Sequence, residues 1–190
     1  MSYARKHAWV IGLALLLVAL LVVTRLIQPS FGAQGLESLA RAALPFAFAT
    51  AGMAIVVIVG GIDLSVASMM AVCAVTAAVL MERMAGVPAL FIVLLVGAVM
   101  GAINGALIVL TKVPDIVVTL AMLFVWEGAA LLILSTPGGA TADWLEASIR
   151  GFFVFSWLPK AFLIITVVTL LIWAPLRRTQ LGLSIYAVGS

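Results

Sequence analysis

Two uncharged runs, Ala42 to Ile62 and Leu64 to Met81, meet at one carboxylate, Asp63. A helix needs roughly 20 mostly apolar residues to cross the hydrocarbon core of a bilayer, and both runs meet or approach that length. Further runs of the same kind lie on either side. Together they carry more apolar surface than a water-soluble core can enclose. The chain is 66% hydrophobic and 9% charged, whereas soluble domains are about half apolar and a quarter charged. The runs are continuously apolar rather than alternating, which excludes a β-barrel. The sequence therefore predicts an all-α polytopic membrane protein with about six transmembrane helices and a discontinuity at Gly60–Ser65.

The expected spans are about 8–28, 42–60, 64–81, 88–111, 116–135 and 160–176. Arg5 and Lys6 ahead of the first run resemble the start of a signal peptide. "TRLIQPSFGAQG" offers only a weak cleavage site and more spans follow, so the first span is read as retained. Pro88 suits the first turn of the fourth span, and "TKVPD" (Thr111 to Asp115) makes a short polar connection. Residues 136–159 form a longer segment, read as extracytoplasmic. It has turn chemistry around Pro137, Gly138 and Gly139. In its "DWLEASI", Asp143 and Glu146 are spaced to cap a short interfacial helix. Trp144, Trp157 and the phenylalanines at 152, 153 and 155 suit a membrane–water interface. The segment is read either as a simple link or as a docking surface.

Orientation follows Lys and Arg in short loops. Six spans place Arg5, Lys6, Lys112, Arg177 and Arg178 on one side and Arg25, Arg41, Arg83, Arg150 and Lys160 on the other. The count is even. The Arg5–Lys6 and Arg177–Arg178 pairs sit tightly against their helices, which favours a cytoplasmic N-terminus.

Several functions are excluded. The net charge is +3, with ten Lys and Arg in 190 residues, so nucleic acid is not an expected partner; membrane lipid is. One Cys (Cys73) and one His (His7) are too few for a zinc site or an internal disulfide. No cofactor is expected in this chain. No GxxxxGK[ST] stretch offers a phosphate loop. The lone His7 leaves no Ser/His/Asp set. "GGID" also lacks the Gly-x-Gly-Asp spacing of intramembrane aspartyl proteases.

Three polar features remain. In "GGIDLS" (Gly60 to Ser65), adjacent glycines weaken a helix by roughly 1 kcal/mol each. A charge at mid-bilayer costs roughly 2.5–3.5 kcal/mol on insertion scales. The break is either a loop, with Asp63 or Ser65 capping the next helix, or a discontinuity lining a cavity; both can hold together. In "GAVMGAINGAL", Gly97, Gly101 and Gly105 form a stripe that permits close helix packing, with Asn104 beside it as an interhelical bond or a solute contact. Glu127 is an ionisable residue inside the fifth span and a functional candidate for that reason. It shares a helix face with Thr119 to within about 80°. Trp126 beside it either faces lipid, the plainer reading, or offers a flat surface to a sugar ring.

The arrangement of three blocks resembles a known family. "VIVGGIDLSVASMMAV" (Val57 to Val72), "GAINGALIVLTKVPDIVVTLAM" (Gly101 to Met122) and "LRRTQLGLSIYAVGS" (Leu176 to Ser190) occur in order. They are similar to bacterial ABC-importer permeases of the branch serving ribose, xylose, arabinose, galactose and autoinducer-2. The chain departs from the family's usual form at Ala67, where glycine is usual, and at Glu127, where arginine is common. Family members are longer, so the resemblance implies the N-terminal part of a permease.

The resemblance implies a transport subunit, not an enzyme. It would pair with a second permease subunit, identical or homologous. Cytoplasmic ATPase subunits would drive it, and a periplasmic sugar-binding protein would deliver a monosaccharide or similar solute. Asp63, Ser65, Asn104 and Thr119, with Glu127, become candidate groups of a pathway or gate. Residues 177–190, with Arg177, Arg178, Tyr186 and Gly189, become the cytoplasmic approach to the ATPase. The competing reading is a structural or assembly subunit of another membrane complex, in which "GGIDLS" is a capped loop and the glycines only pack.

Overall fold

A computed structural model describes residues 7–136, 138–153 and 158–189. Arg5, Lys6, Pro137, Phe155, Trp157 and Ser190, on which some of the readings above rest, lie outside the described residues. The elements are α1 (Ala8–Ile27), α2 (Ala33–Ile58), α3 (Val66–Arg83), α4 (Gly86–Thr111), α5 (Asp115–Ile133), α6 (Asp143–Ile149), α7 (Lys160–Arg178) and α8 (Gln180–Val188). Among the described residues, six helices, α1 to α5 and α7, are long and apolar enough to cross a membrane. The protein is a multi-pass helical membrane protein in which residues 59–65 join α2 to α3.

α2 begins at Ala33 rather than near Ala42, so Glu37 and Arg41 lie within the helix. The Glu37 Oε1 accepts the backbone N–H of Gly151 at 3.2 Å. This contact ties the start of α2 to the segment ahead of α7. α4 begins at Gly86, so Pro88 stands within its first turn, where a missing N–H does no harm. Gly86 is buried, and a Cβ there would press on Ala142 and on the indole nitrogen of Trp144. That contact seats α6 on the start of α4.

α6 does form over "DWLEASI", but its N-cap is Ala142 and no side chain caps it. The expected Asp143–Glu146 cap is therefore corrected. Both acids stand in the first turn, where the helix dipole favours them, and Glu146 pairs with Arg150 at 2.9 Å. At the other end of α6, the Lys160 Nζ donates to the carbonyl of Ala147 at 3.0 Å.

The packed centre is formed by α3, α4 and α5, where Val72, Met100 and Ala130 are buried against one another. Of the glycine stripe, Gly97 faces the Cys73 sulfur and Gly101 faces the Met69 methyl of α3, while nothing stands within 4 Å of a Cβ at Gly105. The small residues thus let α4 approach α3 along two of their three positions. α7 lies against α2, and α8 folds back on α7. Thr179 makes that reversal: its hydroxyl donates to the Pro175 carbonyl at 2.8 Å and accepts the Gly182 N–H at 3.3 Å. Gly182 is buried so closely on the Leu176 carbonyl that a Cβ would overlap it, and Gly189 meets the Ile58 carbonyl at the end of α2 in the same way.

Candidate functional site

The two glycines of "GGIDLS" have different tasks. α2 ends with the Gly60 N–H donating to the Val57 carbonyl and the Gly61 N–H to the Val56 carbonyl, each at 3.0 Å. This is the Schellman termination, which needs a left-handed residue, and Gly60 supplies it at φ +88°. Gly61 has no such φ, but a Cβ there would stand 3.3 Å from both the Asp115 Oδ2 and the Val56 Cγ1. The first glycine turns the chain, and the second leaves room for α5.

Residues 61–65 are then irregular, and side chains meet the N–H groups of Ile62 and Ser65. The Asp63 Oδ1 accepts the Ser65 backbone N–H at 2.8 Å and the Ser65 hydroxyl at 2.6 Å. Ser65 is the N-cap of α3, yet its side chain bonds no helical N–H. The capping role expected of Asp63 or Ser65 is thus corrected: Asp63 closes a turn onto Ser65 instead. The Ser65 hydroxyl faces α4, where it accepts the Asn104 Nδ2 at 2.7 Å. The Asn104 Oδ1 in turn accepts the Trp126 indole N–H at 3.2 Å. Trp126 therefore packs inward on the α3–α4–α5 centre, against the lipid-facing reading. The line Asp63–Ser65–Asn104–Trp126 joins three elements, with Ser65 and Asn104 buried.

Asp115 and Thr119, one turn apart on α5, hold the preceding peptide. The Asp115 Oδ2 accepts the Ile62 N–H at 2.5 Å, and the Thr119 hydroxyl donates to the Ile62 carbonyl at 3.3 Å. The sequence marks Thr119 as a site candidate, whereas Asp115 is visible there only as part of a polar connection. A carboxylate opening a helix is an ordinary dipole-favoured position, and nothing in the sequence pairs it with a residue 53 positions earlier.

A groove of about 700 Å³ opens at this break, lined in part by Gly60, Gly61, Asp63, Gly101, Asn104, Gly105, Lys112, Asp115 and Thr119. Its remaining walls are mostly aliphatic, from Ile55, Val56, Val59, Ile62, Ile108 and Val113. Such a volume suits a small solute, and a few polar groups in an apolar wall are the usual make-up of a small-molecule site. The Asp63 Oδ2 carries no hydrogen bond among the described residues. Ser65 stands behind the wall, fully buried. Glu127 is exposed on α5 and does not line the groove, and Gly97 also lies away from it. Arg177, Arg178, Tyr186 and Gly189 are exposed on α7, α8 and the residue that follows, and Gly189 touches the end of α2 just before Gly60. Among the described residues no group of three His, Cys, Asp or Glu side chains could hold a metal ion.

Six helices long and apolar enough to cross a membrane, with a solute-sized groove where α2, α3, α4 and α5 meet, define a helical membrane protein. Residues 35–190 match the family described as the permease component of the branched-chain amino acid transport system, and the chain belongs to that family. It is 29% identical over 199 residues to the autoinducer 2 import system permease protein LsrD of Salmonella typhimurium. It is 30% identical over 200 residues to the LsrD protein of Escherichia coli K12. In both cases the match takes in 97% of this chain and 58% of the relative's length. No solved structure matches the chain at a significant level.

Proposed function

We propose that this chain is a permease subunit of an ATP-driven importer for a monosaccharide or similar uncharged polar solute. The groove at "GGIDLS" forms part of its translocation pathway or gate. The observation that supports this most strongly is the groove itself, set at a helix break within a chain of the permease family. Asp63, Asn104 and Thr119 line it. An uncharged solute needs only a few hydrogen-bonding groups on its route, and irregular backbone within a membrane protein is tolerated where it lines a cavity.

In this reading the protein sits in the bacterial inner membrane with its N-terminus in the cytoplasm. The groove then opens near the cytoplasmic end, because the ends of α2 and α4 and the starts of α3 and α5 meet there. A second permease subunit, identical or homologous, completes the pathway. A separate cytoplasmic ATPase engages near Arg177, Arg178, Tyr186 and Gly189, and a periplasmic binding protein delivers the solute. This chain itself hydrolyses nothing.

Uptake tests the reading. The full-length protein with its partners is assayed for accumulation of labelled sugars. Autoinducer 2 and a branched-chain amino acid are included because the relatives' names and the family description mention them. ATP-dependent accumulation of a sugar, lost on deletion of the gene, is expected. Deletion that leaves uptake of every solute unchanged overturns the reading.

A further inference from the structure

We propose that Asp115 is the positioning residue of the groove, fixing the irregular segment against α5 by gripping a peptide unit rather than a side chain. The inference rests on the reading of the groove as part of a solute pathway. Residues 62–64 lie between the end of α2 and the cap of α3, so their N–H and C=O groups lack the partners that regular structure supplies. At Ile62 both groups are met from one face of α5. The Asp115 carboxylate takes the N–H and the Thr119 hydroxyl gives to the C=O.

The single Thr119 hydroxyl proton is shared between the Asp115 carbonyl, at 2.8 Å, and the Ile62 carbonyl, at 3.3 Å, so the Asp115 carboxylate is the stronger half of the clamp. Thr119 is 1% exposed, so this half of the clamp has no water to replace it. The bare backbone of Gly61 lets the carboxylate come close. The clamp reads the backbone only, so it sets how far Gly61 and Asp63 stand from α5 whatever side chain occupies position 62. Since Gly61, Asp63, Asp115 and Thr119 all line the groove, the same bonds set its width. A displacement of α5 carries the segment with it.

The test has two readouts on the full-length protein. Amide hydrogen exchange is followed at Ile62 in lipid nanodiscs, with Ser65, whose N–H is held by Asp63, as an internal control. Import is measured in the complete complex. Asp115→Ala speeds exchange at Ile62 by about tenfold or more, the size expected for losing a hydrogen bond to a charged group, and leaves Ser65 unchanged. Asp115→Asn retains an acceptor oxygen and holds exchange near the wild-type rate. Import falls in Asp115→Ala and recovers in Asp115→Asn.

Unchanged exchange at Ile62 in Asp115→Ala overturns the proposal. Faster exchange with unaltered import overturns it as well, because the clamp then positions nothing that transport uses. A wild-type complex that imports no solute overturns the functional reading instead, and exchange alone then judges the clamp.

Discussion

Asn104 on α4 donates its side-chain amide to the hydroxyl of Ser65 at the start of α3, at 2.7 Å, with both residues buried. Each is also committed elsewhere, Ser65 to Asp63 and Asn104 to Trp126. The bond is therefore the middle link of a polar line through an apolar centre. Its loss strands partners on both sides.

Replacing Asn104 by Leu leaves the Ser65 hydroxyl without its donor and the Trp126 N–H without its acceptor. A stranded buried group costs about 1–3 kcal/mol, while interhelical side-chain bonds in membranes average about 0.6 kcal/mol. Asn104→Leu is expected to destabilise the fold by about 1–2 kcal/mol in unfolding from mixed micelles. A cycle with Ser65→Ala is expected to show coupling of about 0.6–1.7 kcal/mol, and additive single effects would contradict the direct bond.

The glycines at the break separate by rescue. Gly60→Ala is strained by its positive φ alone, since nothing stands within 4 Å of the new Cβ. It costs about 1 kcal/mol or more, and no neighbouring substitution relieves it. Gly61→Ala instead crowds the Asp115 carboxylate and the Val56 side chain equally, so Asp115→Ala relieves part of its effect. Thermal unfolding of the single and double variants distinguishes the two.

Lys112 ends α4 in the left-handed region at φ 57°. That conformation costs an L-residue about 1–2 kcal/mol, part of which glycine's greater freedom in the unfolded chain cancels. Lys112→Gly is expected to raise stability by up to about 1 kcal/mol, measured in the same unfolding assay.

At the other junction, a side chain at Gly182 would overlap the Leu176 carbonyl. The contacted Leu176 atoms are backbone and cannot swing away. Gly182→Ala is expected to lift α8 from α7 and to speed tryptic cleavage after Arg177 and Arg178. Unchanged cleavage would show that α8 is not held there.

The uncharged runs made the helices legible because lipid leaves a chain few ways to satisfy its backbone. The start of α2 was hidden because Glu37 and Arg41 look like loop residues. Glu37 is instead helical, and its carboxylate accepts from a peptide far along the chain. "GGIDLS" announces a break but not its internal bonding, since spacing alone does not tell a turn onto Ser65 from a cap on α3. Trp126 and Asp115 were hidden for a common reason. Each owes its role to a partner in another element, Asn104 in one case and the Ile62 peptide in the other. Glu127 drew notice as a charge in an apolar run, but its helix turns it away from the groove.

The central claim is that solute passes through the groove at the break. Gly105 lines that groove and has open space around it, so Gly105→Cys in a Cys73→Ala background places a thiol there with little disturbance. Glu127→Cys in the same background serves as a control outside the groove. The measurement is the rate of alkylation by a water-soluble maleimide in the importing complex, with and without saturating solute. The account predicts that solute slows labelling at 105 and leaves labelling at 127 unchanged. Equal rates at 105 with and without solute, in a complex that is importing, would contradict it.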